Sequence, residues 1–409
     1  MLNKKWVNLS LFYFSSIAII GCLIRYGFFS GNFLTNYKYL LHTHSHIAFL
    51  GWIYPCLFIL IVNSFLSSEE IIKGRYKLQF YITQILIILM FIAFLIQGYA
   101  FFSILFSSLF QLMTYSFAFR FFKDSKKSVN KKLLSIKFIR IGLLSLVISS
   151  IGTWFLPITI LKHLNETNWY NSAIYFYLHF QYNGWFLFAL LGIFYKFLEK
   201  NKINYNIKNA NISFISLSIS IVPSYFLSIL GLTENMLIKE IAFVGSFFEI
   251  IAIIYFLKTI FKEKEVISNT IKTVSEKTIF LASISALVIK IGLQFLSNFS
   301  YFHQLSFSNR FIVLSYLHLT LIGFTSFFLI FLLSQNNYIS LNKQISKIGI
   351  TSLLFGFITS ESFLTLGGLG FNINNVMILI FIFSLFMALG IILIFFDNII
   401  SSNKLEIKN

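Results

Sequence analysis

Apolar stretches about twenty residues long follow one another almost without pause along this chain. A bilayer core about 30 Å thick is crossed by roughly 20 helical residues at 1.5 Å each. Twelve such stretches are predicted, approximately at 6–27, 39–66, 78–97, 100–120, 136–160, 173–198, 209–231, 236–260, 277–298, 311–334, 346–367 and 373–397. Hydrophobic residues make up 57% of the chain and charged residues 11%, which leaves no stretch for a separate soluble domain. The expected fold is all-α and polytopic: one integral membrane domain over 1–409, surrounded by the lipid bilayer. The first stretch follows Lys4 and Lys5 but is long, carries Arg25 and lacks a small-residue cleavage site. It therefore reads as helix one rather than a removable signal.

A net charge of +18 would suit a nucleic-acid ligand if the basic residues shared a face. They alternate along the chain instead. Lys73, Arg75 and Lys77 follow helix two, and Arg120, Lys123, Lys126, Lys127, Lys131 and Lys132 follow helix four. Lys196, Lys200 and Lys202 close helix six, Lys258, Lys262 and Lys264 helix eight, and Lys343 and Lys347 follow helix ten. Lys404 and Lys408 lie at the end, while the opposite loops carry little beyond Lys38, Lys162 and Arg310. This is the positive-inside pattern. It predicts twelve spans with both termini cytoplasmic, in a bacterial inner membrane, and no nucleic-acid partner.

Three of the 7 histidines open the same short phrase. The phrases are His46-Ile-Ala-Phe-Leu-Gly51-Trp52, His179-Phe-Gln-Tyr-Asn-Gly184-Trp185 and His318-Leu-Thr-Leu-Ile-Gly323-Phe324. They lie on helices two, six and ten, which suggests a four-helix unit used three times. In the predicted topology all three histidines fall about seven residues, roughly 10 Å, below the same boundary. A single histidine in a span most often ties helices together by a hydrogen bond. Three at one depth point instead to ligation, because imidazole binds iron and copper and is costly in lipid when unpaired.

Helix two holds more, in Leu-His42-Thr-His44-Ser-His46. Residues 42 and 46 are one turn apart and share a face, whereas His44 points nearly the opposite way. Tyr177 and Tyr316 stand two residues before His179 and His318, where helix two has His44. The glycine five residues after each histidine permits close helix packing or the approach of a flat macrocycle. His163 and His303 sit near predicted helix ends and read as solvated or structural. Cys22 and Cys56 form no CxxC or CxxCH, which excludes covalent c-type haem and a two-cysteine copper site.

Twelve helices with histidines on the second, sixth and tenth resemble subunit I of the haem–copper oxidase and nitric oxide reductase superfamily. The resemblance covers the whole chain as topology and rests on the three histidine phrases as motif. It implies three pseudo-equivalent arcs of four helices. It also implies a low-spin haem b held axially by His46 (or His42) and His318, and a non-haem metal such as copper near His179, with His44 as a further metal ligand. The family's outward-facing propionates would be paired by an arginine such as Arg25. Two departures stand out. Helix seven has no histidine where the family has an adjacent pair, and helix ten has one where the family has two. A complete dinuclear centre for oxygen reduction is therefore not expected. The His-x-His start of helix two also resembles the nitric-oxide-response haem- and copper-containing membrane proteins.

Within the spans, Lys290, Gln294, Glu249 and Glu361 are the other polar candidates. Intramembrane ionisable groups are functional candidates by default. Lys290 and Glu361 are expected to pair, and Glu249 to serve in a proton or charge relay. The leading expectation is haem-based electron transfer or diatomic-gas chemistry alongside a cytochrome or other redox subunit. The competing classes are a transition-metal or proton-linked transporter and a cofactor-free assembly factor. Transporters often break their spans at Gly or Pro, and only Pro55, Pro157 and Pro223 are present.

Overall fold

A computed structural model describes residues 5–126, 133–164 and 167–406; Lys4, Lys127, Lys131, Lys132 and Lys408 lie outside them. The described residues are all helix, turn and loop, with no strand. Ten helices are long and apolar enough to cross a membrane, eleven if one bent pair is a single span. The protein is thus an integral membrane protein. In chain order the ten are Lys5–Ser30, Tyr37–Phe65, Tyr76–Gln97, Phe101–Asp124, Leu134–Leu161, Met236–Lys262, Val274–Leu296, Arg310–Gln335, Gln344–Gly368 and Val376–Ser401. The sixth expected span is also helical, as Asn168–His179, Phe180–Phe186 and Leu187–Lys200. It is not among the ten. Its first half is rich in Asn, Gln, Tyr and His, which lowers its hydropathy.

Helix seven departs from the expected single rod over 209–231. It runs as Ile207–Ser220, turns at Ile221 and Val222, and resumes as a 3-10 helix over Pro223–Leu232, bent by 41°. Pro223 explains the break, since proline has no N–H to give and its ring crowds the carbonyl four residues back. Pro157, by contrast, lies inside Leu134–Leu161 without dividing it.

Burial separates the helices by role. The most apolar stretch of Tyr37–Phe65 is 83% buried and that of Arg310–Gln335 72%, against 28% for Phe101–Asp124. Residues 51–62, 179–195 and 323–334 are buried without interruption. A helix apolar on every face belongs inside the protein, and one exposed along a face meets lipid. The three histidine-bearing helices are therefore the interior helices.

The chain forms two compact units, one of Met1–Ser128, Thr273–Phe280 and Ser326–Asn409, the other of Val129–Lys272 and Leu281–Thr325. In the first unit, glycines let helices eleven and twelve touch. A Cβ on Gly349 would sit 2.8 Å from the Gly390 carbonyl, and one on Gly356 2.6 Å from that of Phe383. Small residues of this kind supply close packing where lipid offers no hydrophobic drive.

Candidate functional site

Each histidine phrase encloses a turn of π-helix. The three π segments among the described residues are Ala48–Ile53, Phe180–Phe186 and Leu319–Ser326. They begin one or two residues after His46, His179 and His318. A π turn bonds i to i+5, so it holds one residue more than an α turn; such turns are rare and concentrate at functional sites. The Tyr54 N–H, bonded to the Phe49 carbonyl five residues back, shows that register directly. Pro55 follows the first segment, but the other two have no proline, so the phrase rather than proline is the shared feature.

The glycine inside each phrase makes room for a neighbouring helix. A Cβ on Gly51 would lie 3.1 Å from Tyr13 of helix one, and one on Gly184 2.5 Å from Ser145 of helix five. The next aromatic packs on the same neighbour: Trp52 stacks on Phe14 at 4.3 Å between centroids, and Trp185 lies against Gly142. The first two phrases thus engage their preceding helix in the same way. Of the two expected uses for Gly51 and Gly184, close helix packing is the one observed.

In the first unit, His46 is held in a defined tautomer. Its Nδ1 is 2.9 Å from the His42 carbonyl, which can only accept, so Nδ1 carries the proton. Nε2 then accepts from the Tyr99 hydroxyl at 2.7 Å, and Phe94 stacks on the ring at 4.3 Å. A ring N–H fixed on a backbone carbonyl, with the other nitrogen presenting its lone pair, is the usual state of a ligating histidine. His42 shares that face, edge-on to Tyr99 at 4.6 Å. His44 points away as its spacing predicts: Nδ1 donates to the Ile17 carbonyl at 2.9 Å and the ring lies over Gly21. Tyr99, which sequence reasoning missed, is positioned by the turn at Gly98, where φ is +62°.

Arg25 and Glu361 meet each other in the first unit. Arg25 donates to Ser360 Oγ at 2.6 Å and to the Ile380 carbonyl at 3.2 Å, and it pairs with Glu361 at 3.3 Å. Both side chains are nearly buried, at 13% and 10% exposure.

In the second unit, His179 is completely buried and both its nitrogens are engaged. Nε2 donates to the Ile221 carbonyl at 2.8 Å, at the break in helix seven, and Nδ1 accepts from Asn183 Nδ2 at 3.0 Å. Asn183 Oδ1 in turn accepts from Lys290 Nζ at 2.5 Å, and Lys290 also donates to Gln294 Oε1 at 2.6 Å. This chain of contacts ties helices six, seven and nine together. It meets the need of a broken span, whose backbone groups must find partners within the protein. Glu249 lies beside Ser224, within electrostatic reach of Lys290. His318 is part-buried at the start of its π segment, and His303, expected to be solvated or structural, is buried.

Among the described residues no three His, Cys, Asp or Glu side chains gather as metal ligands do. His179 is arranged as His46 is, with a ring N–H on a backbone carbonyl and the other lone pair turned to a side-chain donor, so coordination would cost it the Asn183 hydrogen bond. His46 fits an axial role, since ligation requires only that the Tyr99 hydroxyl leave Nε2. Comparison with family models and with curated proteins returns no match.

Proposed function

We propose that this is a haem b-binding membrane protein built on the twelve-span, three-arc plan of the haem–copper oxidase subunit I family. His46 is the axial ligand whose geometry fits, and the resemblance to that family names His318 as the second. The observation that carries this is the π turn placed alike after His46, His179 and His318, each phrase on an interior helix. Counting 168–200 and the bent helix seven as spans brings the ten apolar helices to twelve, and the charge pattern puts both termini in the cytoplasm of a bacterial cell.

A bound haem would supply one-electron transfer or diatomic-gas binding. The chain's part is to hold the His46 tautomer through the His42 carbonyl, to release Tyr99 from Nε2, and to exclude water with Phe94. His42 is the rival ligand one turn away. With no histidine on helix seven, a metal at His179 would lack the adjacent imidazole pair of the resembled family, so oxygen reduction to water is not part of this proposal. A cytochrome or similar redox subunit would exchange the electrons.

The test is a reduced-minus-oxidised spectrum of the purified protein. A sharp low-spin b-type α band, lost in His46→Ala and His318→Ala and retained in His303→Ala, is the expected result. Colourless protein from haem-replete membranes would remove the proposal. A proton-linked or metal transporter is then the next reading, favoured by the break at Ile221–Pro223 beside a buried polar cluster. A cofactor-free assembly factor has no specific observation in its favour.

A further inference from the structure

The polar cluster of the second unit has a feature that the haem proposal does not use. Glu249 is 3% exposed, yet its Oε2 makes no hydrogen bond of good geometry, with the Ser224 hydroxyl its near neighbour. A buried carboxylate oxygen without a good hydrogen bond is costly and marks a place where something else binds. Helix eight presses close to the break in helix seven here: a Cβ on Gly245, one turn from Glu249, would lie 2.3 Å from the Ser224 nitrogen.

The surroundings select what can bind. Lys290 and Glu249 attract each other but form no direct ion pair, and Lys290 uses Asn183 and Gln294 as acceptors instead. A metal cation entering the gap would meet the Lys290 ammonium, and an anion would meet Glu249. A proton, carried by water, meets neither objection. The other titratable groups facing the site are Tyr182, Tyr316 and His179. His179 is already bonded at both nitrogens.

Access is one-sided. Lys290, Gln294 and Asn298 follow at four-residue intervals, on one face of helix nine and the turn that ends it. Lys290 attracts Glu249 and donates to Gln294, and Asn298 Nδ2 donates to Ser246 Oγ at 2.8 Å on the turn of helix eight before Glu249. Polar groups thus lead from Glu249 to the end of helix nine that carries Ser297 and Asn298. In the other direction Leu187, Leu191, Leu217, Ile253, Phe256 and Leu287 surround a cavity of only about 10 Å³. That is the lower limit for one water, and Ser213, the polar residue of the lining, offers it too few partners to hold it.

We infer that Glu249 is a proton-exchange site, reached by water along Gln294 and Asn298 from one end of the helices and sealed from the other by this apolar floor. The step is a simple protonation: a water-borne proton adds to Oε2, and its release regenerates the carboxylate. Nothing in it depends on haem.

Infrared difference spectroscopy of the purified full chain across a pH step tests the inference. A protonated-carboxyl C=O band is expected that is shifted in Glu249→Asp, absent in Glu249→Gln and unchanged in Glu361→Gln. In D2O the band should shift promptly, and Asn298→Leu should slow that shift by about tenfold, as a raised barrier of roughly 1.4 kcal/mol would. If Glu249→Gln does not fold, Glu249→Asp and Asn298→Leu carry the test. The inference is overturned by the absence of a band that responds to substitution at 249, by a band that fails to exchange, or by exchange equally fast in Asn298→Leu.

Discussion

Arg25 and Glu361 allow a sharp test of what buried charge does in this protein. Arg25 donates to Ser360, Ile380 and Glu361, and only 13% of its side chain is exposed. Removing Glu361 alone takes an anionic partner from the buried guanidinium, and removing Arg25 alone takes a cation from a buried carboxylate that also accepts from Ser360 at 3.3 Å. Breaking one side of a buried pair costs about 3–5 kcal/mol, whereas replacing both sides by apolar groups of similar size is near neutral or stabilising by about 1–4 kcal/mol. Arg25→Leu and Glu361→Leu should each therefore lose several kcal/mol, while the double variant should approach the parent. The coupling should be on the order of 3 kcal/mol or more, well beyond the roughly 0.5 kcal/mol scatter of independent sites. Denaturant titration in mixed micelles, followed by tryptophan fluorescence, measures all four proteins. Additive losses in the double variant would show that the two side chains do not act as a pair.

Three further outcomes follow from contacts already described. Asn183→Leu should cost about 1–3 kcal/mol, because it leaves His179 Nδ1 and the Lys290 ammonium short of a buried partner, and the same titration measures it; an unchanged midpoint would contradict the network. Gly184→Ala should destabilise through its 2.5 Å approach to Ser145 Cβ, and Ser145→Gly should restore stability, as melting of the double variant by size-exclusion recovery would reveal. Tyr99→Phe removes the hydroxyl from His46 Nε2, so haem titration of purified protein should show binding at least as tight as the parent's; weaker binding would mean that Tyr99 supports the site rather than capping it.

The apolar spans were readable from sequence because a stretch of about twenty apolar residues leaves few alternatives, whereas their burial was not. The opposite directions of His44 and His46 followed from helical spacing alone, as the contacts with Ile17 and Tyr99 bear out. The break in helix seven was less visible. Pro223 signals it, but the flanking residues are apolar, and hydropathy does not distinguish a kink from a straight span. The π turns were invisible for a different reason: hydrogen-bond register leaves no trace in composition, only the regular glycine five residues after each histidine. Partners across helices, such as Lys290 with Asn183 or Arg25 with Glu361, depend on which helices become neighbours, and a single sequence does not encode that at the level of spacing.

The π turns also act as length gauges. Each inserts a residue into a helix whose following half is enclosed on every side. Deleting one residue from Ala48–Ile53 would remove the bulge and leave Tyr54–Phe65 facing as before, whereas adding a further residue would swing it through about 100° relative to His46, the angle per residue of an α-helix. A lipid-facing helix can absorb such a rotation by trading one apolar side chain for another. These helices cannot, since every direction of the swing drives a large side chain into a fitted neighbour. An added residue between a histidine and its buried rod should therefore be tolerated far less well than a substitution within the phrase.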